Sequence, residues 1–218
     1  KWGQVLDPGM VDLDPGPRGP GGLAEELRLA LIAFDEMDIA GAEDGFPPSR
    51  FAEAFDYLKR QNFQFTIHAG EAFGLPSIWE AVQLCGASRL GHGVRLVEDI
   101  APDGTLGDLA AYIRDRRLPL ELCPTSNLQT GICERIEDHP FGRLAELQFR
   151  VTVSCDNRLM SRTTLSRELA LLSAAFGYTM DDLQRFTINA AKSAFLPFDQ
   201  RLVLIDQIKA GFAAVKAG

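Results

Sequence analysis

Histidine is scarce in this chain. Only three of its 218 residues are histidines, at positions 68, 92 and 139, and no His-x-His pair occurs. Basic residues are outnumbered too, with 22 Lys and Arg against 30 Asp and Glu and a formal net charge of −8. That balance argues against nonspecific binding to nucleic acid or to an anionic membrane, since both reward clustered cations. No apolar run approaches the roughly 20 residues that a membrane helix needs. The four cysteines (Cys85, Cys123, Cys133, Cys155) form no CxxC pair, which removes zinc-knuckle and dithiol redox readings. Cys85 falls on an apolar helical face and Cys123 and Cys155 on expected strands, so they read as small buried hydrophobes in a reducing, cytoplasmic compartment. The start, Lys1-Trp2-Gly3-Gln4, is polar, has no apolar core behind it and carries no initiator Met. It is expected to be no signal peptide, and the chain to be trimmed or part of something longer.

What is present is a hydrophobic share of 46% and a charged share of 24%, which describe an acidic globular protein with material for a large core. Residues 1–22 stand apart. Asp7-Pro8-Gly9, Asp14-Pro15-Gly16-Pro17 and Gly19-Pro20-Gly21-Gly22 give turn after turn, so a disordered leader or junction is expected there.

From residue 23 onward the pattern is regular. Helical spacing is expected over about 23–33, 49–61, 77–85, 106–117, 141–147, 165–176 and 181–194, and in a last helix running to about 215. The Ser77-Ile-Trp-Glu80 spacing of a capping box is expected to open the third of these. Strand-like stretches sit between them, ending near Gly41, His68, His92, Ser126 and Asp156. Alternation of strand and helix with a period of roughly 30 residues is the signature of a parallel α/β architecture. Every reactive cluster falls just after a strand, which places all of them at one end of the sheet.

Phe63-Gln-Phe-Thr-Ile-His-Ala-Gly-Glu71 is the central example. Phe63, Phe65 and Ile67 alternate with Gln64 and Thr66, and the strand ends on an imidazole followed three residues later by a carboxylate. His68 is suited to bind a metal and Glu71 to move a proton. His139 precedes Pro140 in a charged stretch and reads as a surface residue.

Taken in order, five segments resemble the adenosine deaminase family of metal-dependent (β/α)8 barrels: Asp38-Ile-Ala-Gly-Ala-Glu43, Thr66-Ile-His-Ala-Gly-Glu71, Leu90-Gly-His-Gly-Val94, Glu121-Leu-Cys-Pro-Thr-Ser-Asn127 and Val153-Ser-Cys-Asp-Asn157. Thr187-Ile-Asn-Ala-Ala-Lys-Ser-Ala-Phe195 is similar to that family's helix near the C-terminus. The resemblance implies a partial (β/α)8 TIM barrel, strands four to eight with their helices, over residues 23–218. It also implies hydrolytic deamination at C6 of a purine, with Zn2+ activating the attacking water. By the same resemblance His68 and Asp156 are metal ligands, and Glu71 is the acid that protonates ring N1. His92 stabilises the oxygen that adds to the ring, while Gly41 and Asn157 contact the purine. To donate a proton, Glu71 has to be partly desolvated.

Three departures from the family pattern qualify this. The His-x-His pair that supplies two more zinc ligands is missing, together with the first three strands. Asn157 stands where many members carry a second Asp, and its amide can donate to purine N7. Ser154-Cys155 replaces the usual Asn-Thr before the metal Asp, which changes the hydrogen bonds around that ligand. The expected activity is adenosine to inosine plus ammonia, with little turnover by these 218 residues alone. The alternatives are a non-catalytic remnant, one half of an enzyme completed by an N-terminal fragment or by self-association, and adenine or another 6-aminopurine as substrate.

Overall fold

The computed structural model describes residues 10–12, 37–41 and 43–217 and contains six short strands among those residues. The chain forms two compact units, Lys1–Leu96 and Val97–Gly218. In the first, β1 (Met10–Asp12), β2 (Met37–Ala40), β3 (Phe65–Ala69) and β4 (Arg89–His92) lie side by side in chain order, all parallel. Parallel neighbours need long crossovers. Helix α1 (Ala52–Arg60) supplies one between β2 and β3, and α2 (Leu75–Trp79), continued by a π-helical turn over Glu80–Cys85, supplies the next. Phe55 and Leu58 of α1 and Ile78, Ala81 and Cys85 of the second crossover are fully buried, as are Phe65 and Leu90 of the sheet. The Phe55 and Phe65 rings stack with centroids 5.3 Å apart.

Several expectations need correction here. Met10–Asp12, inside the turn-rich stretch 1–22, pairs with β2 as a strand. The Met-Val-Asp triplet is free of Pro and Gly, and the β2 edge offers it unpaired backbone groups. The rest of residues 1–22 and the helix expected at 23–33 lie outside the described residues. Thr66, a polar member of the alternation, is fully buried and accepts a hydrogen bond from Arg89 Nε at 2.8 Å. A parallel strand is covered on both faces, so its polar members need partners rather than water. The helix after β3 begins at Leu75 and not at Ser77, because Pro76 fits its first turn. Ser77 Oγ is buried without a partner, and Glu80 takes its hydrogen bond from Ser49 Oγ at 2.7 Å instead of closing a capping box.

The second unit pairs β5 (Pro119–Leu122) with β6 (Arg150–Val153), again parallel. Helix α3 (Asp108–Asp115) leads into β5; α4 (Pro124–Gln129) and α5 (Phe141–Glu146) connect the pair. Short α6 (Arg158–Ser161) follows β6, then α7 (Leu165–Phe176), α8 (Met180–Ser193) and α9 (Phe198–Ala217). Ile113, Leu120, Leu122, Phe141, Leu144 and Leu172 are fully buried. Phe186 meets both Phe141 and Tyr178 edge-on, each at 5.0 Å between centroids.

Helices α1, α3 and α5 end alike. Asn62, Arg117 and Gln148 take left-handed backbone, with φ of 57°, 57° and 63°. The next residue in each case (Phe63, Leu118, Phe149) donates its N–H five residues back, to Leu58, Ile113 and Leu144. This is the Schellman closure with an apolar residue after it, and here it turns each helix into the following strand. Among the described residues no helix is long and apolar enough to cross a membrane.

Candidate functional site

The end of β3 is shaped by two glycines. Gly91 in β4 lies opposite His68 in the ladder, and a Cβ on it would come within 2.9 Å of the imidazole Cδ2. Gly70 has φ +77°, and a Cβ there would sit 2.5 Å from the Ile78 side chain. Only glycine gives both the turn and the room. The end of β4 is fastened to the same turn: Gly93 donates to the Ala69 carbonyl and Arg95 to that of Gly70, each at 2.9 Å.

These constraints bring His68, Glu71 and His92 together. The His68 and His92 rings stack with centroids 4.1 Å apart, inclined by 30°. His92 Nδ1 lies 3.5 Å from Glu71 Oε1. Glu71 and His92 are buried, 9% and 2% exposed, so the carboxyl is largely removed from water as a proton donor requires. His92 also holds left-handed backbone at φ 60°, a conformation that costs a residue with a Cβ roughly 1–2 kcal/mol and is tolerated where the surroundings enforce it. Gly41 follows β2 and is exposed. Two residues on, the Glu43 carboxylate accepts hydrogen bonds from the backbone N–H groups of Gly70, Glu71 and Ala72.

Asp156 and Asn157 belong to the second unit. Asp156 follows β6 with φ 54°, is exposed, and accepts a hydrogen bond from Ser126 Oγ at 2.7 Å. Asn157 Oδ1 accepts the Met160 N–H at 3.1 Å, capping α6, which leaves its amide nitrogen as the remaining donor. Ser126 is itself held from behind. Its neighbour Thr125 donates its N–H to Glu168 at 3.0 Å, and the fully buried Glu168 carboxylate also accepts from Thr163 Oγ1. Next in the chain, the Asn127 Oδ1 lies 3.2 Å from His139 Nε2.

His139 is therefore not a surface residue. It is buried, and its Nδ1 accepts the Phe141 N–H at 2.9 Å, so Nε2 carries the proton that Asn127 receives. The charged neighbours face outward while the ring satisfies the start of α5. Cys85 is buried as expected, and that burial pushes its thiol up to about 12. Cys123 and Cys155 follow their strands rather than lying in them, and desolvation raises Cys155 first, with Glu168 adding to it.

Sequence reasoning gave no role to Glu43, Ser126 or Glu168. Glu168 left one signal, an acid four residues before Leu172 on a stripe facing the core. Glu43 and Ser126 left none beyond standing inside strand-end segments.

Ligand atoms of His68, Glu71 and His92 all lie within 4.8 Å of one another. Two imidazole nitrogens and a carboxylate oxygen are donors that suit a zinc ion, so the residues present fit one.

Comparison with known proteins gives the chain's relatives. The model of a family described as Adenosine deaminase matches residues 24–211. "Adenosine deaminase 1" of Streptomyces coelicolor is 60% identical over 201 residues, covering 89% of this chain and 50% of that protein. The chain thus spans about half the length of the curated relatives it matches. Among solved structures, an adenine deaminase from Arthrobacter aurescens superposes with a TM-score of 0.78 at 22% identity, over 86% of this chain and 55% of that one. An amidohydrolase from Burkholderia ambifaria with bound Zn superposes with a TM-score of 0.77 at 21% identity, over 94% and 58%. At such identities these two structures establish a shared fold.

Proposed function

Because the chain belongs to the adenosine deaminase family, we propose that it is the portion of a (β/α)8 barrel carrying strands four to eight (β2–β6), and that it serves zinc-dependent hydrolysis of the 6-amino group of a purine. Adenosine is the first substrate, giving inosine and ammonia. The observation that carries the reading is the buried Glu71 carboxyl beside His92 and His68.

Zinc, when bound, supplies Lewis-acid activation of a water molecule. By the family reading His68 and Asp156 would hold it, while the donors gathered within the first unit are His68, Glu71 and His92. Glu71, desolvated and close to His92, holds a proton for ring N1, so that charge is neutralised where attack at C6 creates it. His92 offers a buried imidazole to the oxygen that adds to the ring. Gly41 lets the backbone approach the purine, and the Asn157 amide nitrogen donates to N7. With two ligands instead of three and about half the length of its relatives, the 218-residue chain binds zinc weakly and turns over slowly until an N-terminal fragment completes it. A reducing cytoplasm suits its four free cysteines.

Zinc content by mass spectrometry and inosine formation by absorbance, measured with and without the matching N-terminal half of a relative, test the reading. Activity rising only on mixing is expected; no inosine in either case would overturn it. Comparing adenosine with adenine decides the substrate.

A further inference from the structure

Glu43 stands three residues beyond β2, in the loop that begins with Gly41, yet its carboxylate sits in the turn beyond β3. Oε1 accepts the Gly70 N–H at 2.5 Å, and Oε2 accepts those of Glu71 at 3.0 Å and Ala72 at 2.8 Å. Three successive backbone N–H groups converging on one anion form a nest, and the left-handed Gly70 at φ +77° is the residue that bends the chain to make it. Bonds from neutral donors to a carboxylate are among the stronger hydrogen bonds. The partners are 27 to 29 residues apart, so one side chain fastens two strand-end loops together.

We propose that Glu43 is a positioning residue: its carboxylate holds the Gly70–Ala72 turn so that the Glu71 carboxyl stays against His92 Nδ1. The assignment of Glu71 as the acid of the reaction rests on the family reading above; the clamp itself rests on the three hydrogen bonds. Once the carboxylate is gone, the turn keeps its glycine but loses what fixes its orientation, and Glu71 drifts relative to His92. A displacement of about 1 Å at such a point is enough to lower a rate by two orders of magnitude.

The test compares the 218-residue wild type with Glu43→Gln, Glu43→Asp and Glu43→Ala. Hydrogen exchange at the amides of residues 70–72 is expected to speed up about tenfold or more in Glu43→Gln, while α1 and the thermal midpoint stay near wild type. Zinc affinity is expected to fall by about tenfold, in the range seen when a group supporting a metal site is removed. Glu43→Asp, which keeps the charge on a shorter arm, regains part of the protection. Formate added to Glu43→Ala refills the nest and restores protection at 70–72, whereas chloride at equal ionic strength does not.

Wild-type exchange at 70–72 in Glu43→Gln would overturn the proposal. So would exchange that rises uniformly across the unit, or protection in Glu43→Ala that formate leaves unchanged. A wild-type chain that takes up no zinc would count against the deaminase reading, while the exchange comparison still decides the clamp.

Discussion

Gly91 faces His68 directly across the β3–β4 ladder, and the space its missing side chain leaves is occupied by the edge of the imidazole. A Cβ there would meet His68 Cδ2 at 2.9 Å and its Cα at 3.2 Å, so the ring has to turn or the strands have to part. The position of one site residue is thus set by the smallness of another.

Gly91→Ala should therefore act on the site more than its one methyl suggests. Overpacking of this kind costs roughly 1–3 kcal/mol, to be read from the urea midpoint at unchanged slope. Imidazole chemical shifts of His68 and His92 should move together, because the two rings stack at 4.1 Å. A variant with wild-type midpoint and unmoved histidine resonances would show that the sheet absorbs the methyl elsewhere.

Asp156→Asn separates the structural and chemical roles of that position. Asn tolerates left-handed backbone and keeps an oxygen for the Ser126 hydroxyl, so stability should stay within about 0.5 kcal/mol of wild type. The charge goes, and zinc affinity should drop at least about tenfold. An Asp156→Asn chain that titrates with zinc like the wild type would take Asp156 out of the ligand set.

Glu168 supports the β5–α4 turn from beneath, and its substitutions should split cleanly. Glu168→Gln keeps an oxygen for the Thr125 N–H, and the Thr163 hydroxyl can rotate to accept from the new amide. Glu168→Ala leaves the buried Thr163 hydroxyl and the half-buried Thr125 N–H without their acceptor and should cost about 1–3 kcal/mol. Equal midpoints for the two variants in urea would contradict this account of the network.

At the start of α8, Thr179 and Asp182 cap each other, and the hydrogen bonds from Thr179, with Arg185 helping less, hold the Asp182 carboxyl below its usual 3.8. A carboxyl lowered in the folded state adds stability above its unfolded value, and that stability is lost as pH falls through the lowered one. The wild type should exceed Asp182→Asn by no more than about 1 kcal/mol, since the side chain is only half-buried and water screens it. The gap should hold from pH 7 to 5 and close below about pH 4. Urea titrations of both proteins across that range check the sign; a gap that widens in acid would reverse it.

The strand–helix alternation, the boundaries of α7 and α8 to within a residue, and the standing of His68, Glu71, His92 and Asp156 at or just after the ends of their strands were legible in the chain by itself. Period-two and period-3.6 patterns are local, and a strand's end is where they break. The sequence also held the family likeness, because five short segments kept both their residues and their order. Only the tertiary structure decided that Glu43 closes on Gly70–Ala72, that Glu168 reaches Thr125 over 43 residues, and that His139 turns inward to Asn127. It likewise buried Thr66 and gave Met10–Asp12 a strand to pair with. The reason is common to all of these. A buried polar group or an open sheet edge must find its partner wherever folding brings one, and that partner's place along the chain follows no repeat that the surrounding residues can announce.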